Sequence, residues 1–124
     1  MILESFYTIV SKEIIEEDKL YFYNIQVNAE HTIFEGHFPD NPIMPGVCMM
    51  QIIKDITESI SGNTLFMKKC SNVKFMAIIN PEVNKDLQLQ ITVKKDDENE
   101  IVINNITKFE ETTALKLSVT YQKI

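Results

Sequence analysis

Hydrophobic and polar residues recur with two different periods along this chain. Over residues 21–28 they alternate, which is the period of a half-buried strand. The apolar side of that stretch consists of Tyr21, Tyr23, Ile25 and Val27. From Val47 to about Ser61 the apolar residues instead recur three and four apart, and Gly62 stands where a helix C-cap is expected. The pattern therefore predicts one strand over 21–28 and one helix over about 47–61.

Further strands are predicted on both sides of this helix by runs rich in β-branched and aromatic residues. Residues 3–28 hold two strands, of which the one over 21–28 is the second, and four more lie near 64–79, 86–95, 100–109 and 113–122. The connections between the last four strands are too short to contain crossover helices, so the sheet should be largely antiparallel. Six strands and one helix predict an α+β fold, with a single domain over residues 1–124 in which the sheet buries the apolar side of the helix. Edge strands of such a sheet favour pairing between subunits.

Charge and composition exclude several classes of protein. The 124 residues include 12 Lys and Arg against 18 Asp and Glu, a formal charge of −6, which disfavours a nucleic-acid-binding protein. No apolar run approaches the roughly 18 residues of a membrane-spanning helix, and no signal-peptide pattern is present. Cys48 and Cys70 are too few for a disulfide framework, so we expect reduced thiols in a cytoplasmic protein. Cys48 is expected to be a small core residue.

Most of the prolines and glycines of this chain lie in one short segment. Three of the four prolines and two of the three glycines lie within residues 36–46. Because proline fixes φ, this loop should hold His37 in a set position just ahead of the helix. Behind Pro45, the backbone N–H groups of Gly46 and Val47 open the helix at the positive end of its dipole. They are candidates for stabilising a developing oxyanion.

This window resembles the signature of a known family. The segments Gly36–Pro39 and Met44–Val47 are similar to those of the 3-hydroxyacyl-acyl-carrier-protein dehydratases, which have the hot-dog fold. The element order and the run Asn72–Phe75 leading to Pro81 match that family's layout. The resemblance implies that His37 removes the proton α to a thioester carbonyl, while the N–H of Gly46 or Val47 polarises that carbonyl.

The same resemblance implies the partners of the site. The protein should be a homodimer, with a higher oligomer as a further option, in which a carboxylate on the partner subunit's helix acts on the departing β-hydroxyl. Phe38, Pro45 and Met50 are expected to contact the substrate. The substrate would be carried on the phosphopantetheine of an acyl carrier protein or coenzyme A, with no other cofactor. No metal is expected, because His31 and His37 lack partner ligands.

The chain departs from the family at the carboxylate. Fourteen residues after His37 it has Gln51, whose carboxamide has no proton to give at neutral pH. General acid help is worth about 10²- to 10⁴-fold, so a standard dehydration should run slowly. Asp55 lies one turn on, with its Cβ about 5 to 6 Å from that of Gln51 by ideal helix geometry. Gln51 and Asp55 therefore form either an exchange of amide and acid or the solvated face of an amphipathic helix.

We predict a 3-hydroxyacyl-thioester dehydratase-like hydro-lyase of fatty acid, polyketide or polyene biosynthesis, with His37, Gln51 and Asp55 as its catalytic residues. Lys68, Lys69 and Lys74 form a positive patch that is either a carrier-protein contact or a solvated strand face. Two alternatives stay open. One is a thioesterase on the same fold, in which Gln51 positions water. The other is a non-catalytic subunit that binds acyl chains or completes a partner's site.

Overall fold

The structure, a computed structural model, describes residues 5–36 and 40–124. Its elements in chain order are β1 (Tyr7–Glu16), β2 (Leu20–Val27), a short 3₁₀ helix (Thr32–Glu35), α1 (Gly46–Ser61), β3 (Leu65–Phe75), β4 (Asp86–Asp96), β5 (Glu100–Phe109) and β6 (Thr112–Lys123). The predicted order of two strands, one helix and four strands is confirmed. The helix begins at Gly46, one residue before the predicted start.

The strands form one sheet in the order β1-β2-β4-β5-β6-β3. Every neighbouring pair is antiparallel, as the short connections predict. β1 and β3 are the two edges of this sheet, so each has one side without a hydrogen-bonding neighbour in the described chain. The fold class predicted from the sequence, an antiparallel sheet around one helix, is confirmed.

The core lies between α1 and the inner face of the sheet. Met49, Ile52, Ile53 and Ile56 of the helix are almost fully buried, and the inner faces of β2, β4, β5 and β6 supply their partners. Each such side chain contributes about 1.5 to 3 kcal/mol on burial. Cys48 is also buried, which confirms its expected place in the core, and burial raises the pKa of its thiol. α1 ends at Ser61 and is capped by Gly62, whose φ of 73° is the left-handed conformation that glycine adopts without strain.

β3 is shorter than the predicted strand-like run over 64–79. It ends at Phe75, after which the N–H groups of Met76 and Ala77 both donate to the carbonyl of Ala114 and the chain leaves the sheet. The carbonyl of Ile79 then accepts from the N–H of Met44 at 2.9 Å. This bond ties the segment after β3 to the chain that enters α1, which is why these residues do not continue the strand.

The start of β1 is braced against the 3₁₀ helix. The carbonyl of Phe6 accepts from the N–H of Asn28 at 2.8 Å, and the Phe6 ring meets His31 edge-on and stacks on Phe34, with ring centroids 5.1 and 5.5 Å away. His31 Nδ1 in turn accepts from the N–H of Ile33 at 3.1 Å and so caps the 3₁₀ helix.

In the described ranges, no helix combines the length and the apolar character needed to cross a membrane.

Candidate active site

The predicted base and one predicted substrate contact cannot be placed. His37 and Phe38, with Pro39, lie outside the described residues. Gly36 on one side follows directly from the braced 3₁₀ helix, and Asp40 on the other leads through Pro42 to the helix. The role of His37 therefore stays a prediction from the sequence.

Two backbone donors at the start of α1 have no acceptor among the residues that the structure describes. Pro45 is the N-cap and supplies no side-chain acceptor, while its carbonyl accepts from the N–H groups of Cys48 and Met49 at 3.0 and 3.3 Å. Within the described part of the chain, the N–H groups of Gly46 and Val47 have no acceptor. These are the donors that an α-helix cannot satisfy internally, at the positive end of its dipole. Their role as oxyanion donors stays a prediction. The Val47 side chain beside them is 65% exposed.

An apolar cavity of about 260 Å³ adjoins the start of the helix. Its lining includes Met44, Gly46, Met49, Phe75, Ile79 and Leu115. A Cβ on Gly46 would lie 2.9 Å from Phe75 Cζ, which is too close for a real side chain. The close approach of the Phe75 ring to the helix backbone therefore requires glycine at position 46. The cavity could hold an apolar acyl chain beside the free N–H groups.

The other predicted substrate contacts are not in this cavity. Pro45 is buried at the N-cap, Val47 projects outward and Met50 is half-buried, and none of the three belongs to the cavity lining. Met44 and Met49, both buried, do line it. Contact between Pro45, Val47 or Met50 and a substrate thus stays a prediction.

Gln51 and Asp55 meet directly on one side of α1. Gln51 Nε2 donates to Asp55 Oδ1 at 2.9 Å, across one helical turn. The second carboxylate oxygen, Asp55 Oδ2, accepts from the Tyr7 hydroxyl at 3.1 Å. All three side chains are half-buried, and the catalytic role of Gln51 and Asp55 stays a prediction. We call Tyr7, Gln51 and Asp55 the Asp55 cluster.

Tyr7 is the member of this cluster that the sequence did not reveal. It begins β1 opposite Val27, whose side chain is buried, and paired residues on neighbouring strands project to the same face. Burial raises the pKa of the Tyr7 phenol, and the charge of Asp55 and its hydrogen bond raise it further. The phenol is therefore protonated at neutral pH and serves as a donor to Asp55.

Glu58, the next acidic residue along the same side of α1, belongs to the scaffold. Its Oε2 accepts from the backbone N–H of Leu65 at 2.8 Å, at the start of β3, and pairs with Lys54 Nζ at 3.7 Å. A charge-assisted bond of this kind fixes the helix against the edge strand. Glu58 is thus a suitable structural control for Asp55.

One lysine of the predicted positive patch is paired with a carboxylate. Lys68 Nζ lies 2.6 Å from Glu100 and is neutralised by it, whereas Lys69 and Lys74 are exposed. Lys74 lies opposite Lys116 on β6. The positive charge near Lys74 therefore includes a residue of β6 that the predicted patch did not contain. Among the described residues, no three His, Cys, Asp or Glu side chains form a group that could hold a metal.

A six-stranded antiparallel sheet that wraps one helix defines a hot-dog protein. The chain matches the family model described as "ApeI-like: ApeI dehydratase" over residues 13–116. It therefore belongs to the ApeI-like dehydratase family, and it is a 3-hydroxyacyl-thioester dehydratase-like protein.

Two curated relatives are named as 3-hydroxyacyl-[acyl-carrier-protein] dehydratases. The chain is 29% identical over 105 residues to the 3-hydroxyacyl-[acyl-carrier-protein] dehydratase FabZ of Lactobacillus helveticus, which covers 79% of this chain and 68% of that protein. It is 30% identical over 79 residues to the protein of the same name from Pediococcus pentosaceus, covering 58% of this chain and 52% of that one. The chain thus spans about two thirds of the first relative and half of the second.

Solved structures show the same fold at low identity. The dehydratase heterocomplex ApeI:P from Xenorhabdus doucetiae includes a chain that is 16% identical, with a TM-score of 0.73, and the match covers 94% of this chain and 97% of that one. A hypothetical thioesterase from Streptococcus pneumoniae, solved with coenzyme A, is 10% identical with a TM-score of 0.67, covering 95% and 85%. At such identities the likeness is one of fold.

Proposed function

We propose that this protein is a 3-hydroxyacyl-thioester dehydratase in which Asp55 supplies the carboxyl group that the family resemblance expects one turn earlier. The observation that carries this proposal is the Asp55 cluster. Gln51 stands where the resemblance expects the family's acid, and its Nε2 donates to Asp55 Oδ1 at 2.9 Å, which supports an exchange of amide and carboxyl between these two positions. A carboxyl group can exchange a proton with a hydroxyl, whereas a carboxamide cannot.

A complete site of this kind needs two chains. Gly46 and Asp55 are nine residues apart on α1, which places them about 14 Å apart along the axis at 1.5 Å per residue. The thioester carbonyl and the β-carbon of the substrate are separated only by the α-carbon. The helix start and the Asp55 cluster of one chain therefore cannot serve one substrate together. A homodimer would bring the Asp55 cluster of the partner subunit to the helix start of the first.

Each group then has one task in dehydration. His37 takes the proton from the α-carbon. The electron pair of the broken C–H bond forms the α,β double bond as the bond to the β-hydroxyl breaks. The N–H groups of Gly46 and Val47 stabilise the negative charge that develops on the thioester oxygen. Asp55 of the partner subunit, in its protonated form, gives its proton to the departing hydroxyl, which leaves as water. Proton exchange with solvent then restores both groups, and the reverse sequence hydrates an enoyl thioester.

The acyl group would be carried on the phosphopantetheine of an acyl carrier protein or of coenzyme A, and no further cofactor is needed for proton transfers of this kind. The relatives named above act on acyl-carrier-protein substrates, which favours that carrier. The exposed Lys69 and Lys74 fit an acidic carrier. The two free thiols fit a cytoplasmic enzyme.

The test is turnover of two substrate types by purified protein. The rate of hydration of a 2-enoyl thioester can be measured from the loss of its ultraviolet absorbance. This rate should fall about 100-fold or more in His37→Ala and in Asp55→Asn. Glu58→Gln, in the scaffold, is the matched control and should keep the wild-type rate. Unchanged hydration in Asp55→Asn, or an inactive wild-type protein, would contradict the proposal.

A thioesterase is the second candidate, since the Gln51 carboxamide can position a water molecule without giving up a proton. Release of free thiol from saturated acyl thioesters would identify it, with no hydration of the enoyl substrate. If neither reaction occurs, the remaining outcome is a subunit that completes a partner's site. In that case a mixed complex with a related dehydratase should recover activity that depends on His37.

A further inference from the structure

Tyr7 lies at the far end of the hydrogen-bond chain that begins at Gln51. We propose that Tyr7 is a positioning residue for the reaction, which fixes the Asp55 carboxyl group for proton exchange at the β-carbon. This inference rests on the proposed function, because Tyr7 acts only through Asp55. The contact joins β1 to α1 over 48 positions of sequence.

The need for such a residue follows from the geometry of Asp55. A carboxyl group on a helix surface can rotate about its side-chain bonds, and a loosely held group loses rate because its productive orientation is seldom populated. Gln51 holds one carboxylate oxygen from the same helix, and the Tyr7 hydroxyl holds the other from the sheet. Two donors from different elements fix both the position and the plane of the carboxyl group.

Tyr7 itself is well anchored. The residue before it, Phe6, is fully buried, packs against His31 and Phe34, and is tied to the end of β2 by the hydrogen bond from Asn28. The phenol remains protonated at neutral pH, since burial and the charge of Asp55 raise its pKa. A rigid and permanent donor therefore faces Asp55, as positioning requires.

The same anchor leads to the segment that carries His37. Phe34 belongs to the 3₁₀ helix, which ends at Glu35, two residues before His37. Tyr7 and this helix thus rest on one aromatic cluster of Phe6, His31 and Phe34. β1 connects the Asp55 cluster to the support of the predicted base in the same chain.

The test is a double-mutant cycle on enoyl-thioester hydration. Tyr7→Phe removes only the hydroxyl and should lower kcat about tenfold, the loss expected for a hydrogen bond to a charged group, with little change in KM. In an Asp55→Asn background the same change should have no effect, because Tyr7 acts through Asp55. Tyr21→Phe is the matched control. It removes a hydroxyl that accepts from the N–H of Asp18, away from α1, and should leave kcat unchanged.

Each outcome decides between the two proposals. If Asp55→Asn keeps full activity, the proposed function fails. If Asp55→Asn is impaired but Tyr7→Phe is not, or Tyr7→Phe lowers kcat equally in both backgrounds, the positioning role fails.

A second measurement does not depend on the folding of Tyr7→Phe. Protein labelled with 3-fluorotyrosine has four fluorine resonances, one for each tyrosine. The Tyr7 resonance should titrate at lower pH in Asp55→Asn than in the wild-type sequence and should change most of the four, because the charge of Asp55 that helps to raise the pKa of Tyr7 is gone. The pKa of Tyr121 is raised mainly by burial and only weakly by the charge of Asp55, so that resonance should change less. Four unchanged titrations would overturn the contact itself.

Discussion

The Gln51 carboxamide donates a hydrogen bond of 2.9 Å to the Asp55 carboxylate, across one turn of α1. The two side chains therefore work as a unit, and a change in one alters the surroundings of the other. In the proposed enzyme this pair replaces a single carboxyl group, with the amide one turn closer to the helix start.

Gln51→Glu should restore a carboxyl group at the position where the resemblance expects one. Two carboxyl groups at hydrogen-bond distance cannot both ionise easily, so the pair should hold a proton to higher pH than a single carboxyl group does. We expect kcat for dehydration of a 3-hydroxyacyl thioester to rise about tenfold, within the range of general acid catalysis. Gln51→Leu, which keeps the size but loses the donor, is the control and should lower kcat. A slower Gln51→Glu enzyme would show that Asp55 alone is the better arrangement.

Gly46→Ala should be destabilising only while Phe75 is present. The new Cβ would lie 2.9 Å from the Phe75 ring, and such overpacking costs about 1 to 3 kcal/mol in the free energy of unfolding. In a Phe75→Ala background the clash is absent. Gly46→Ala should then stabilise the helix by about 0.5 to 1 kcal/mol. Urea unfolding of the four proteins measures both effects, and an equal loss in the two backgrounds would show that the ring is not the cause.

The dimer should form at the β3 edge of the sheet. Phe75, Met76 and Ile78, at and just after the end of β3, are exposed apolar residues, and Phe75 adjoins the helix start. A subunit that covers them also covers the proposed site. The protein should therefore have twice the 14.4 kDa mass of one chain, and Phe75→Asp with Ile78→Asp should shift it to the monomer.

The opposite edge supplies the control for that experiment. Val10 and Ile15 on β1 are likewise exposed and apolar. Val10→Asp with Ile15→Asp should leave the dimer intact in light-scattering measurements. Loss of the dimer in this variant alone would place the interface at β1.

Asp97 should stabilise the protein only above acidic pH. The backbone N–H groups of Glu100 and Asn99 donate to its carboxylate, and with Lys95 nearby they lower its pKa to about 2. A carboxyl group whose pKa is lower in the folded than in the unfolded chain adds stability above its unfolded pKa of about 3.9, and that gain disappears as the pH falls toward 2. Asp97→Ala should thus lower Tm at pH 7 and have a much smaller effect near pH 2. The exposed neighbour Glu98, changed to Ala, should lower Tm less at pH 7, and an equal loss would contradict the role of the turn.

Much of the fold followed from local sequence. The three- and four-residue spacing placed α1 within one residue of its start, because an amphipathic helix must bury one side. The alternation from Tyr21 to Val27 identified the buried face of β2 for the same reason. The end of β3 was not predicted correctly, since the apolar residues after Phe75 serve the chain that enters α1 and not the sheet.

The partners of the site residues depended on register. β1 contains irregularities between Ile9 and Ser11 and between Ile14 and Glu16, and each one shifts which side chains face inward. The alternation rule applied to residues 7–16 therefore could not show which of them reach α1. Glu58 likewise has the sequence pattern of a site residue, and only its bond to the N–H of Leu65 assigns it to the scaffold.

The sequence by itself determined the helix, the order of helix and strands along the chain and the proline-rich loop, because each depends on residues close together in the chain. It also placed Gln51 and Asp55 on one side of the helix, since a turn of 3.6 residues brings positions four apart together. Only the tertiary structure decided that Tyr7 reaches Asp55 and that Phe75 covers Gly46. Those contacts join distant segments, and their geometry is set by strand register and packing, which no local pattern specifies.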